Sequence, residues 1–382
     1  MSTRSLFRVA PVVLAATLTG AMSLPEHRTP GAARDALGMH LGAVRLGSAG
    51  ALTFNEDAIL FLADSRGATL WALDPAESGK ATFGERDLVA DLDLKVAGLL
   101  GTTRDKIRFG DMARHPKTGS LYFTVSRVTA NGSDPALVRA RGPEQVELVD
   151  LEHIRNSSAP LPEAPSADGK TPWGQPQWTL AITDLAFVDG ELWVAGLSNE
   201  QFASALRRIP FPFAKGGGLT TVEIFHTSHD RWETAAPIDA FLPITLNGTP
   251  SLLAGYGCSP IATFTRADLR KGGHLRGRTV AELGGGSRPV DMIRYQREGK
   301  EWVLIANSAR TLMRLDPDEI ARAPEMTKAV DHAFQPAGVG YLPVASAGVM
   351  HLTDFGPEMV AVLMRDIDTG AVKVVSYDKK WL

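Results

Sequence analysis

The chain is nearly without cysteine. One residue, Cys258, in 382 cannot make an internal bridge, so a disulfide-stapled scaffold is excluded. Net charge is small as well: 40 Lys and Arg stand against 43 Asp and Glu, which argues against a charge-driven nucleic-acid binder. Long apolar runs are missing too. No segment reaches the roughly 20 apolar residues that a helix needs to cross a bilayer, so no membrane span is expected. In contrast, turn formers are plentiful, with 37 Gly and 24 Pro. Hydrophobic residues make up 44% of the chain, enough to bury a core and to argue against long disorder.

The first residues read as an address. Arg4 and Arg8 precede the apolar run from Val9 to Leu18, and Thr19, Gly20, Ala21 and Ser23 follow it. A basic start, a short apolar centre and a small-residue exit describe a secretory signal peptide. We therefore expect residues 1–23 to direct export, to the periplasm or the cell exterior, and residues 24–382 to form one domain.

One pattern recurs along that domain. Ile59 to Ala63, the corner Asp64-Ser65-Arg66-Gly67, then Ala68 to Asp74 is closely repeated by Trp302 to Ala306, Asn307-Ser308-Ala309-Arg310, then Thr311 to Asp316. Related strand-and-corner units occur at Leu121, Leu192, Leu252 and Val349. Several are preceded by a strand with an acid at its head: Asp111, Asp184, Asp239 and Asp291. Asp189-Gly190 and Asn247-Gly248 are strong hairpin signals, because both residues tolerate positive φ. A lone four-stranded unit has two faces to bury and too small a core; a ring of them covers those faces. The expected fold is all-β, a β-propeller of six blades with a few short loop helices; seven blades is the alternative, with the extra one in 136–180. The ring is expected to close by pairing 43–46 with 372–377. A helix is expected from Leu88 to Leu100, stopped by Gly101, and another from Asp316 to Arg322.

The Asp64 and Asn307 corners and the Arg288-Pro289-Val290-Asp291 stretch resemble NHL-like and gluconolactonase/regucalcin-like propellers. The likeness covers most of the exported part. More narrowly, 182–187, 198–213 and 288–308 resemble a group of exported bacterial propellers with no assigned activity. The resemblance implies the propeller fold, and through the lactonases it implies a channel metal that polarises an ester carbonyl and orients water. Those enzymes use Glu, Asn and Asp at non-equivalent places, and that set is not matched residue by residue here.

Three groups of residues offer chemistry. Asp111, Asp184, Asp239 and Asp291 are expected at matching strand ends on one axis, where carboxylates can hold calcium or another hard cation; the alternative is that each caps its own turn. His226, His229 and Glu233 offer three ligands to zinc, copper or iron, with His40, His115 and His351 as distant partners and a solvated loop as the alternative. Cys258 stands at a corner equivalent to Asn199 and Asn307, and these three are the expected contacts for a bound ligand. Cys258 itself reads as a buried small side chain; a nucleophilic role would need a nearby His base. The segment from Arg207 to Phe213 reads as an aromatic plug between repeats. No catalytic motif matches. The leading expectation is an exported propeller that binds a small molecule or a partner protein at its channel face. Its alternatives are a lactonase-like metal hydrolase using the channel carboxylates and an accessory subunit of a periplasmic redox enzyme. The implied cofactor is a divalent metal, calcium or zinc.

Overall fold

The computed structural model describes Met1, residues 34–213 and residues 217–382. Residues 2–23, where the export signal is expected, and Lys215 and Gly216 of one glycine run, lie outside the described residues. Strands dominate, and the helices Leu92–Leu99, Arg266–Lys271 and Pro317–Arg322 are short. Among the described residues no helix is long and apolar enough to cross a membrane.

The strands form antiparallel meanders. Leu52–Phe54, Leu60–Asp64 and Thr69–Asp74 make the first, widened by Ile154–Pro160 and His40–Gly42. Ile107–Arg114, Leu121–Thr129, Gly132–Ala140 and Val146–Leu148 make the next. Two more run from Asp184–Val188 out to Gly218–His226 and from Ile238–Leu246 out to Gly273–Glu282; their outer strands pair in parallel, which fuses them into one ten-stranded sheet. Pro289–Arg297, Lys300–Asn307 and Leu312–Leu315 are joined by Leu342–Val344, and Val349–Asp354, Met359–Arg365 and Val372–Asp378 by Asp87–Val89.

The first strand of each meander stands against a common channel, a propeller-like arrangement. These strands touch in the order Leu52–Phe54, Ile107–Arg114, Val349–Asp354, Pro289–Arg297, Ile238–Leu246, Asp184–Val188, and back to Leu52–Phe54. The order departs from the chain at one point: the 107–148 meander sits between the first meander and the last. Apolar clusters fill the seams. Leu60 and Leu62 meet Tyr122 and Leu137 in one, while Leu88, Val89 and Phe123 meet Leu363 and Val374 in another. Burying each such side chain contributes about 1.5–3 kcal/mol. In the seam between the first and third meanders Phe61 packs on Phe187, Phe211 and Phe213, with ring centroids 5.1, 5.0 and 6.3 Å away. The 207–213 segment therefore is an aromatic plug.

Several local expectations are corrected. Ring closure pairs Val372–Asp378 with Asp87–Val89, not with 43–46. Leu88 lies in that short strand, and the helix begins only at Leu92. The strands at the start of 136–180, the place given to an extra blade, complete the first two meanders instead: Gly132–Ala140, Val146–Leu148 and Ile154–Pro160 all pair there. The Pro317–Arg322 helix is capped as its sequence suggests, Asp316 accepting from Asp318 N–H at 2.9 Å.

The two-residue hairpins have positive φ at both centres, 47° at Asn247 and 75° at Gly248. A Cβ on Gly248 would meet no atom within 4 Å, so Gly248→Ala tests backbone strain alone. We expect a loss of about 1 kcal/mol in urea unfolding; a neutral result would mean that the turn relaxes.

Candidate functional site

Along the channel, register decides which side chains meet. Asp111, Asp184 and Asp291 pair opposite Thr124, Ala195 and Ala306. In the meander that begins at Ile238 the matching position, opposite Gly255, belongs to Ala240, and Asp239 falls within a bulge. Since side chains alternate faces along a strand, Asp239 leaves the ring of the other three. In the last meander the matching residue is His351, opposite Leu363.

The three axial carboxylates act as staples. Each accepts a backbone N–H from the neighbouring meander: Asp111 from Leu52 at 2.6 Å, Asp184 from Phe241 at 2.7 Å and Asp291 from Leu352 at 2.7 Å. Asp111 and Asp184 also accept from their own following residue, Met112 at 2.6 Å and Leu185 at 2.7 Å. His351 Nδ1 lies 3.2 Å from Asp111 and 3.6 Å from Asp291. Burial opposes the imidazolium, but hydrogen bonds and charge from both carboxylates outweigh it and raise His351 to about 10. Burial, followed by the neighbouring carboxylates, pushes Asp184 upward. Burial likewise raises Asp291 against the pull of His351. The axis thus carries its own cation and spends its carboxylates on backbone.

Asp239 instead lines a cavity at one channel mouth, of about 670 Å³. Its side chain is largely buried, Oδ2 meets no donor among the described residues, and the nearest cation is Arg288 at 3.7 Å. Burial raises Asp239 to about 6, only partly offset by Arg288.

His226, His229 and Cys258 stand on the wall of the same cavity. His226 ends the strand Gly218–His226, a tight turn carries His229, and the strand Arg231–Glu233 returns antiparallel. That return sets Glu233 against both imidazoles, with His226 Nδ1 at 2.7 Å and His229 Nδ1 at 2.9 Å. Arg231 Nε donates to Glu233 at 2.6 Å. Burial pushes Glu233 upward, but hydrogen bonds from His226, Arg231 and His229 prevail and hold it below the usual carboxylate range. With Nδ1–H donating to Glu233, each ring keeps its lone pair on Nε2. His226 is buried and its Nε2 meets no hydrogen-bond partner among the described residues.

Cys258 arrives from the next meander. It sits in the turn before Pro260–Thr265 with φ +67°, followed by Ser259 at +100°, a conformation that costs a side-chain-bearing residue about 1–2 kcal/mol. It is exposed rather than buried. One ligand atom from each of His226, His229 and Cys258 fits within 4.8 Å of the others. Glu233, expected as a third ligand, lies against both Nδ1 atoms, and Cys258 is the residue grouped with the two histidines. Behind them Glu282 is fully buried, 3.9 Å from His226 Nε2, accepting from Ser259 Oγ at 2.5 Å and Thr227 N–H at 3.0 Å.

The other expected contacts lie elsewhere. Asn307 closes its own corner, accepting from Ala309 N–H at 3.0 Å. Asn199 is exposed, with its N–H on Glu163 O at 3.1 Å. His115 accepts from Thr118 N–H at 3.1 Å in a turn, His40 is exposed on an outer strand, and His351 is on the axis. Asp239 is the cavity residue whose place the sequence misassigns, and Arg288 is one it does not single out as a site residue. For Asp239 a signal exists: Asp291 stands seven residues before Glu298, but Asp239 stands eight before Asn247, and one residue is a change of face.

No protein-family model matches the chain, and no curated protein sequence matches it. Among solved structures, a putative oxidoreductase (glucose dehydrogenase) of Thermus thermophilus is similar at 14% identity and a TM-score of 0.35, over 89% of this chain and 99% of that one. Virginiamycin B lyase of Staphylococcus aureus is similar at 11% identity and 0.34, over 88% and 98%. Raptor of Chaetomium thermophilum gives 11% and 0.34 over 93% of this chain, but only 26% of its own length. Likenesses at these scores carry no argument about chemistry.

Proposed function

We propose that this chain is an exported, six-bladed propeller of the NHL-like and gluconolactonase/regucalcin-like kind that holds a divalent transition metal at one channel mouth and binds a small molecule there. Six apolar clusters, each in a seam between two meanders, support six blades. The basic, apolar and small-residue opening supports export.

The convergence of His226, His229 and Cys258 within 4.8 Å carries the metal reading. Two imidazoles, one thiolate and an open position suit zinc, with copper next. Glu233 on both Nδ1 atoms is the outer support that such histidines need. Buried Glu282 gains a cation beside it, which offsets the cost of a charge without a strong partner. The axial carboxylates suit a metal less well, since backbone N–H groups and His351 already occupy them. His226, His229 and Cys258 would hold the metal, which would supply polarisation of a carbonyl or activation of water, and the cavity beside them admits the ligand.

Elemental analysis of the purified protein, dialysed against zinc, tests this. Wild type is expected to keep one equivalent, while His229→Ala and Cys258→Ser lose it. Glu233→Gln is expected to weaken zinc by roughly 10–100-fold. Equal metal in wild type and His229→Ala counts against the site. A second measurement isolates the thiol: zinc is expected to slow carboxymethylation of Cys258 by at least about tenfold, because a bound thiolate is not free to attack. An unchanged rate removes Cys258 from the ligand set and leaves it as a thiol beside two imidazoles.

A further inference from the structure

We propose that the cavity selects a small organic anion, a carboxylate on an aromatic or apolar body, and that Arg288 reads the charge. The inference rests on the reading above of this cavity as the binding site and names the class of molecule it takes.

Arg288 is held by its main chain and free at its tip. Its N–H donates to Ser308 Oγ at 3.0 Å, and its carbonyl accepts from Ser308 N–H at 2.9 Å. Its side chain is 57% exposed and faces only Asp239, at 3.7 Å, beyond hydrogen-bond reach. A guanidinium placed this way offers two parallel N–H groups, the geometry that a carboxylate accepts in a bidentate pair. Asp239 is the weak point of the unliganded arrangement. It is largely buried, off the register of the axial ring, and its Oδ2 meets no donor among the described residues. Such a group costs free energy until it finds a partner, and in protonated form it donates to an incoming oxygen instead of competing for Arg288. The other acid of the cavity, Glu233, is already committed to His226, His229 and Arg231. Asp239 is then the one acid lining the cavity without a donor among the described residues, and an ammonium probe reports whether it draws a cation.

The rest of the wall supplies the apolar half. Trp173 is 54% exposed at the rim, and Trp232 lies under the Arg276 guanidinium at 4.5 Å from its centroid. Pro172, Leu180 and Pro237 complete an apolar lining. Gly257 joins the two halves: a Cβ there would stand 3.5 Å from Asp239 Oδ2, and the next residue is Cys258. The anion subsite thus borders the proposed metal position.

Calorimetric titration of the zinc-dialysed full chain with phenylacetate, phenylacetamide and phenethylammonium tests the inference. Phenylacetate is expected to bind at least about tenfold tighter than the neutral amide, since a charge-assisted bidentate pair is lost with the amide. Arg288→Gln is expected to bring the two within about twofold while zinc content and melting temperature stay as in wild type. Asp239→Asn, which removes the competing charge, is expected to keep or sharpen the preference for the acid. Arg288→Gln protein that still prefers phenylacetate, tighter binding of phenethylammonium, or no binding of any probe would each overturn the proposal. Its failure is separable from that of the metal reading. Metal-free wild type that still discriminates through Arg288 leaves this inference standing and removes the metal, whereas zinc-loaded protein without discrimination does the reverse.

Discussion

Replacing His351 with glutamine is expected to destabilise the fold by about 3 kcal/mol at pH 7, the low end for a buried pair, because it removes one partner of a largely buried ion cluster. Asp111 and Asp291 then face each other, with Asp184 near, without a cation. The pH dependence identifies the cause. His351 is raised to about 10 in the fold from about 6.5 in an unfolded chain. A raised imidazole contributes stability that is fully present below its unfolded value and disappears as pH climbs through its folded value. Wild type should therefore lose melting temperature steadily between about pH 6.5 and 10. In His351→Gln the baseline is lower and that slope is gone. Below neutrality the variant should gain stability as pH falls, since its crowded carboxylates are relieved by protonation. Calorimetric scans of both proteins from acid to alkaline pH check this. Parallel curves above pH 7 would show that His351 is not the cation of the axis.

The second large effect is expected at Asp184. Alanine there strips the acceptor from Leu185 N–H and Phe241 N–H, two backbone groups in the channel wall, and each orphaned donor costs about 1–3 kcal/mol. The expected loss is about 2–5 kcal/mol, read as a lower urea midpoint with an unchanged slope. Asparagine is the informative control. Its amide oxygen can still accept one of the two bonds, although its amide nitrogen is a donor and leaves the other N–H unpaired, and it carries no charge to be repelled by Asp111 and Asp291, both of which push Asp184 upward. Asp184→Asn should therefore cost less than Asp184→Ala, by about one orphaned donor. If the two substitutions cost the same, Asp184 contributes through its charge and not as an acceptor.

The architecture was legible because turns and strands announce themselves locally. Asp189-Gly190, Asn247-Gly248 and Glu298-Gly299 each take the positive φ pair of a tight hairpin, and the repeated strand-corner-strand unit follows from burying both faces of a small sheet. The ring order was not legible. Nothing in the composition of 87–89 says that its partner lies at 372–378, because long-range pairing is chosen by tertiary fit. The candidate site was half legible. His226, His229 and Glu233 were seen as a group, but the contact of Glu233 with both Nδ1 atoms depends on the return of the strand Arg231–Glu233. Cys258 joins them from another meander, which no local spacing reveals. Asp239 was grouped with the axial acids by its sequence neighbours, but it stands one residue earlier than they do, at the bulged position that Gly110 and Val290 fill in their meanders, and so meets a different environment.

The strand Asp87–Val89 waits for a partner nearly three hundred residues further on: Ser376 N–H reaches Arg86 O at 2.8 Å. During synthesis the second meander, which packs against the last, emerges long before the surface that covers it. Until Val372–Asp378 leaves the ribosome, Leu88, Val89 and Phe123 have no Leu363 or Val374 to meet. Non-local closure of this kind is slow, and uncovered strand edges are prone to wrong pairings. Nascent chains should therefore present an open, chaperone-accessible edge at one seam for most of translation, and circularisation should appear as a single late event instead of one blade at a time.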